Sequence, residues 1–216
     1  MIKLILFDFD GVITDSNSLH IEVTKRVLKG VGLGRDISDQ EIYDLFGKEY
    51  KVVLMELMGA EYTEEKLAMA SILQQELLHA DSFFDGIIMF PGVRALLSTL
   101  QGNGVWLAVA TGNDRRFIDR AVEVLGLDGF FDLILSSDDV SHSKPAPDMV
   151  LKAIDYFGVS ADEALFVGDS RNDVLAAKSA GVKSAAVLTG ILDRREALKL
   201  NPDFIVDDVS GIMGII

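Results

Sequence analysis

Lys3-Leu-Ile-Leu-Phe-Asp-Phe-Asp-Gly-Val-Ile-Thr-Asp15 stands at the start of the chain and decides how the rest is read. Leu4 to Phe7 form an unbroken apolar run, the pattern of a strand buried on both faces of a parallel sheet. Asp8 and Asp10 follow at i and i+2, and Gly11 then breaks the strand. That spacing points both carboxylates to one side at the strand's carboxyl end, where open α/β sheets bind their ligands. Two like charges so close call for a cation between them or a raised pKa on one. A solvated acidic turn accounts for a single aspartate there and explains the pair poorly.

Downstream, the texture is helical from about Ser16 to Asp85. Ser16 to Leu28 carries apolar positions at helical spacing. Ser38-Asp-Gln-Glu41 is a capping-box pattern for a second helix reaching Gly47. A third helix is predicted from Tyr50 to Met58, and Thr63 opens a fourth that runs to about His79. No strand pattern interrupts this stretch, so residues 15–85 read as an all-α unit inserted after the first strand.

From Phe90-Pro-Gly onward, buried runs such as Val105 to Thr111 and Ala164 to Val167 alternate with helical stretches of about ten residues. Such alternation gives right-handed βαβ units and a parallel sheet. The expected architecture is therefore α/β: a doubly wound, Rossmann-like core (residues 1–14 and 86–216) with a helical cap domain inserted.

Composition narrows the function. The 216 residues are 49% apolar, enough for a sizeable core. A formal charge of −14 repels nucleic acid, and no basic cluster offsets it. With no cysteine, disulfides, thiolate metal sites and cysteine nucleophiles are excluded. The N-terminus has neither the apolar region nor the cleavage site of a signal peptide, and no apolar run reaches spanning length. A cytoplasmic protein without membrane or nucleic-acid partners is expected; nothing in the sequence fixes its oligomeric state.

Each later core strand delivers polar groups at its carboxyl end. Thr111-Gly112-Asn113 offers a hydroxyl and backbone N–H groups that can grip an anionic oxygen, or an ordinary helix cap. Ser143-Lys144-Pro-Ala-Pro-Asp148 holds one lysine between stiff prolines, although a surface lysine in a turn reads the same way. Gly168-Asp169-Ser-Arg-Asn-Asp173 places two acids one helical turn apart, with an acidic N-cap as the competing reading. Together they are more specific than any one alone. Two acidic pairs suit Mg²⁺, a hard cation that takes carboxylates, carbonyls and water. Thr111 and Lys144 suit the oxygens of a phosphoryl group, and the set fits attack by an aspartate on phosphorus.

The ordered motifs Asp8-Phe-Asp10-Gly, Thr111-Gly, Lys144-Pro and Gly168-Asp169-Ser-Arg-Asn-Asp173 resemble those of the haloacid dehalogenase superfamily. The helical insert resembles the cap of its phosphoglycolate phosphatase and β-phosphoglucomutase branch. The resemblance implies Asp8 as nucleophile and Asp10 as general acid and then base. It implies Mg²⁺ on the Asp8 carboxylate, the Asp10 carbonyl and Asp169, with Asp173 as ligand or support. Thr111 and the Gly112 N–H would hold the phosphoryl group, and Lys144 would neutralise it together with Asp8.

In the cap, Lys48 beside Gly47 is a candidate for a second anionic group of the substrate, against a solvated loop lysine. His20 near the cap's entry and Asn113 are further specificity candidates. Trp106, Met55, Met58 and Met69 read as core filler. The expected activity is hydrolysis of a small phosphomonoester in Mg²⁺, and a sugar-phosphate mutase is the nearest rival. A phospho-accepting signalling module fits worse, because receivers place their acceptor mid-chain and lack a cap. A dehalogenase needs no acid at position 10, and a dead scaffold would not carry every chemical group.

Overall fold

Leu4 to Phe7 form strand β1, and all four residues are buried. A two-residue strand β2 (Thr14–Asp15) leads into five helices: α1 (Asn17–Gly30), α2 (Asp39–Tyr43), α3 (Tyr50–Met58), α4 (Glu64–Leu78) and α5 (Asp81–Phe84). The chain returns through β3 (Ile88–Met89) to α6 (Val93–Gly102), β4 (Trp106–Ala110), α7 (Arg115–Val124) and β5 (Leu133–Leu135). It closes with α8 (Asp148–Phe157), β6 (Ala164–Gly168), α9 (Arg171–Ala180), β7 (Lys183–Val187), α10 (Arg194–Leu200) and β8 (Phe204–Val206). The computed structural model describes residues 1–216.

Six strands make one parallel sheet in the order β5-β4-β1-β6-β7-β8. The chain builds outward from β1 on one side, then crosses to β6 and builds outward on the other. β1 is therefore the point where strand order reverses, and its carboxyl end opens on the crevice where doubly wound sheets bind ligands. Side chains alternate across the sheet. Leu4, Leu6, Ala108, Ala110 and Phe166 pack on one face with Met149, Val150 and Ala153 of α8 and Ala176 and Ala177 of α9. Ile5 and Phe7 point the other way and are equally buried, which is why β1 reads as a continuous apolar run.

Residues cluster into two units, one of Met1–Asp15 with Ile88–Ile216 and one of Ser16–Ile87. The second is all helical. Its α2 carries the expected capping box, with the Ser38 side chain accepting from the Glu41 N–H and Glu41 accepting from the Ser38 N–H. Thr63 caps α4 by accepting from the Lys66 N–H. No helix of the protein is long and apolar enough to cross a membrane.

Three local expectations need correction. The second helix stops at Tyr43, and residues 44–47 continue as turns, because Gly47 adopts φ +83° and the intervening residues bond at i−3. The helix behind Gly168-Asp169 begins at Arg171 and is capped by Ser170, not by an aspartate. Met58 is buried, but Met55, Met69 and Trp106 are exposed, and Trp106 stacks on Phe157 at 5.3 Å between ring centroids. The short antiparallel pair of β2 and β3, Thr14 opposite Met89, has too little alternating sequence to be seen in advance.

Candidate active site

β1 continues one residue past its last paired position, because the Asp8 N–H donates to the Val167 carbonyl at 2.8 Å. That bond ties the Asp8 backbone to β6. The chain then turns sharply, with the Ile13 and Thr14 N–H groups both donating to the Phe9 carbonyl. The Phe9 N–H donates to Asp8 Oδ1 at 2.7 Å, and Lys144 Nζ lies 2.8 Å from the same oxygen.

Lys144 follows β5 in the loop before α8, and its side chain is 8% exposed. Its ammonium also lies 2.7 Å from Asp173 Oδ1. That ion pair is the partner of this buried oxygen. The second oxygen of Asp173 is spent locally, accepting from the Ser170 N–H at 3.0 Å and the Ser170 hydroxyl at 2.5 Å. Both readings of the Asp169–Asp173 stretch thus hold for different atoms. Asp173 Oδ2 closes a capping box at the start of α9, and Oδ1 belongs to the site.

Asp169 follows β6 and is 3% exposed. The Ile191 N–H donates to its Oδ2 at 2.9 Å, and the Leu192 N–H donates to its carbonyl at 2.9 Å. Gly190 and Gly11 pass so close that a Cβ on either would collide with Asp169 Oδ2, and Gly11 also needs its φ of +75° for the turn after β1. Thr189 ties the two loops together by donating to the Gly11 carbonyl at 2.6 Å. The loop after β7 did not emerge from sequence reasoning. Its signal was Thr189-Gly190 behind a buried strand, the same pattern as Thr111-Gly112.

Carboxylate oxygens of Asp8, Asp169 and Asp173 all lie within 4.8 Å of one another. Burial first, and then the Asp173 charge, push Asp8 up to about 7 against the pull of Lys144. Burial, Asp173 and Asp8 likewise hold Asp169 well above the usual carboxylate range. Burial alone would lower Lys144, but Asp173 and Asp8 outweigh it and raise it. The lysine stays charged, because two carboxylates share it. The buried trio is then short of positive charge. Hard oxygen ligands in a buried group short of positive charge fit a divalent cation of the Mg²⁺ type.

Thr111 follows β4 and is 1% exposed, its N–H donating to the Leu135 carbonyl at 2.9 Å and its hydroxyl accepting from the Asn113 N–H at 3.2 Å. Neither Thr111 nor Asn113 caps the next helix. Asp114 does, accepting from the Phe117 N–H at 2.8 Å. Gly112 is exposed. Asp10 does not join the carboxylate trio: its Oδ2 accepts from Asn113 Nδ2 at 2.6 Å and its Oδ1 from the Thr14 hydroxyl at 3.4 Å.

The other two candidates lie in the helical unit. Lys48 Nζ donates to both carboxylate oxygens of Glu56, at 2.8 and 2.7 Å. His20 stands edge-on to Phe83, with ring centroids 5.3 Å apart. Lys48 is therefore neutralised by a neighbour of its own unit, and His20 is half-buried against an aromatic ring.

The haloacid dehalogenase-like hydrolase family matches residues 5–187 of the chain. A phosphoglycolate phosphatase of Pseudomonas savastanoi pv. phaseolicola is 32% identical over 98% of this chain and 78% of its own length. The pyrophosphatase PpaX of Oceanobacillus iheyensis is 27% identical over all of this chain and 97% of its own. Among solved structures, that of a predicted phosphoglycolate phosphatase from Haemophilus somnus 129PT superimposes with a TM-score of 0.91 at 25% identity, covering 99% of this chain and 97% of that one.

Proposed function

Because the chain belongs to the haloacid dehalogenase-like hydrolase family, we propose that it is a Mg²⁺-dependent phosphatase of small phosphomonoesters acting through an aspartyl-phosphate. The observation that carries this reading is Asp8. Its carboxylate is held by the Phe9 N–H and Lys144 at the strand-order reversal, inside a trio of buried acids. Relatives named for phosphoglycolate and pyrophosphate hydrolysis support a small phosphorylated substrate.

In the proposed reaction an Asp8 oxygen attacks phosphorus in line, forming an O–P bond as the bond to the leaving alkoxide breaks. Asp10 gives its proton to that alkoxide. Water then attacks the phosphorus of the acyl phosphate, Asp10 takes the water's proton, and inorganic phosphate leaves with Asp8 restored. Lys144 holds the attacking carboxylate in place and offsets charge gathering on the phosphoryl oxygens. Thr111 and the Gly112 N–H are the donors for those oxygens. Asp8, Asp169, Asp173 and the Asp10 carbonyl are the groups that would hold Mg²⁺. When bound, the ion supplies charge neutralisation to the phosphoryl group. The helical unit is read as the substrate-selecting cap, with Lys48 and His20 as its candidates.

The test is phosphate release in Mg²⁺ from phosphoglycolate, hexose phosphates, nucleoside monophosphates, pyrophosphate and β-glucose 1-phosphate. At least one member should turn over, and Asp8→Asn should reduce that turnover by ~10⁴-fold or more with an unchanged circular dichroism spectrum. Near-wild-type activity in Asp8→Asn would remove the covalent route. Consumption of β-glucose 1-phosphate without phosphate release would replace the phosphatase with a mutase.

A further inference from the structure

We propose that Asn113 is the positioning residue for Asp10, fixing the carboxylate that moves protons at the leaving group and at water. The inference rests on the acid–base reading of Asp10 above and adds a residue to it.

The Asn113 side-chain amide donates to Asp10 Oδ2 at 2.6 Å, across 103 residues of sequence. Its backbone is fixed on both sides. The Asn113 N–H donates to the Thr111 hydroxyl at 3.2 Å, while its carbonyl accepts from the Ser137 N–H at 2.9 Å and the Ser137 hydroxyl at 3.2 Å. The loops after β4 and β5 together hold the amide, and they hold it for no local purpose. Capping of α7 is carried out by Asp114, so the Asn113 side chain is not needed to start that helix.

Asp10 sits half-buried in the turn between Phe9 and Thr14, outside the carboxylate trio and the Lys144 ion pairs. Besides Asn113, the Thr14 hydroxyl approaches its other oxygen at the longer distance of 3.4 Å. Asn113 and Thr14 meet the two carboxylate oxygens from different directions, and the shorter contact comes from Asn113. Proton transfer requires donor and acceptor within hydrogen-bond reach in the transition state. A misplacement of about 1 Å costs roughly 100-fold in rate.

The experiment compares kcat/KM for p-nitrophenyl phosphate with that for the best-used alkyl phosphomonoester of the panel. p-Nitrophenolate departs without being protonated, whereas an alkoxide needs the acid. Wild type, Asn113→Ala, Asn113→Asp and Asp10→Asn are measured with saturating Mg²⁺. The aspartate variant keeps the size of Asn113 but sets a carboxylate against Asp10.

Both Asn113 variants should lose about 10- to 100-fold on the alkyl ester, through kcat with KM little changed, and less than about threefold on p-nitrophenyl phosphate. Equal losses on the two esters, or a change confined to KM, would overturn the assignment, as would failure of both variants to fold. Asp10→Asn separates the two layers. If it spares the alkyl ester, the acid–base reading of Asp10 itself is wrong. If it loses that ester selectively while the Asn113 variants do not, only the role of Asn113 falls.

Discussion

Asp173 gives Oδ2 to the Ser170 N–H and hydroxyl while Oδ1 reaches Lys144, and Asp169 gives Oδ2 to the Ile191 N–H. Asp8 likewise accepts the Phe9 N–H on Oδ1. Each carboxylate is thus oriented by a main-chain donor on one oxygen, so its geometry survives changes of charge at the site. The electrostatic cost is concentrated on ionisation. With its pKa raised from 3.8 to about 7, Asp8 in the folded, metal-free protein keeps a proton that the unfolded chain releases near pH 4. Between those values the native state binds more protons than the unfolded one, so stability falls as pH rises through that window. The shift corresponds to at most ~4 kcal/mol for Asp8, and Asp169 acts in the same direction. The carboxylates held low, such as Asp139 near 2 through its bonds to Ser136 and Arg115, change stability only below about pH 4 and do not interfere. In EDTA, Tm should therefore drop by several degrees between pH 5 and pH 8, and millimolar Mg²⁺ should remove most of the drop. A profile in EDTA that is level, or that rises, would mean that Lys144 already compensates the trio.

At the scale of elements, the site is a set of loops behind parallel strands, and the legibility of each loop followed from how local its pattern is. The loops after β1, β4 and β6 announce themselves by a buried run followed at once by Asp, Thr or Asp, and the loop after β5 by its Lys-Pro-Ala-Pro stretch, so Asp8, Thr111, Asp169 and Lys144 stand out as candidates in the sequence. Long-range partners could not. Asn113 meets Asp10 and Thr189 meets Gly11 across 103 and 178 residues, and neither local context encodes the contact. The β2–β3 pair was equally hidden, because two residues per strand carry no period. The missed loop after β7 makes its own prediction. Gly190 leaves no room for a side chain against Asp169, while the next residue supplies the donor that orients it. Gly190→Ala should push the Asp169 carboxylate out of place and weaken Mg²⁺ binding by ~10- to 100-fold, the range seen when the support of a metal ligand is disturbed. Titration calorimetry of the variant with Mg²⁺ reads this directly; affinity within about twofold of wild type would show that the loop gives way instead.

Over the whole molecule, 34 acidic residues face 20 lysines and arginines, and the site does not reverse that sign locally. Its ammonium, Lys144, is buried between Asp8 and Asp173, which offset its field at long range and leave it to act at contact distance. The phosphomonoester dianion of the proposed reaction would approach a molecule that repels it at long range, with attraction beginning only where the strand-end donors and a bound Mg²⁺ come within reach. Screening acts on the first part far more than on the second, because buried interactions at contact distance are protected from salt. Raising monovalent salt from 10 to 100 mM shortens the screening length from about 30 to about 10 Å, which covers most of the approach. With Mg²⁺ kept saturating, KM for p-nitrophenyl phosphate should fall by about two- to fivefold over that range while kcat stays constant. The usual pattern of a phosphate-binding surface rich in lysine and arginine is the reverse, a KM that climbs with salt. Observing that reverse pattern here would locate a cationic approach route that outweighs the formal charge of −14. An insensitive KM would mean that the acidic residues lie too far from the entrance to be felt.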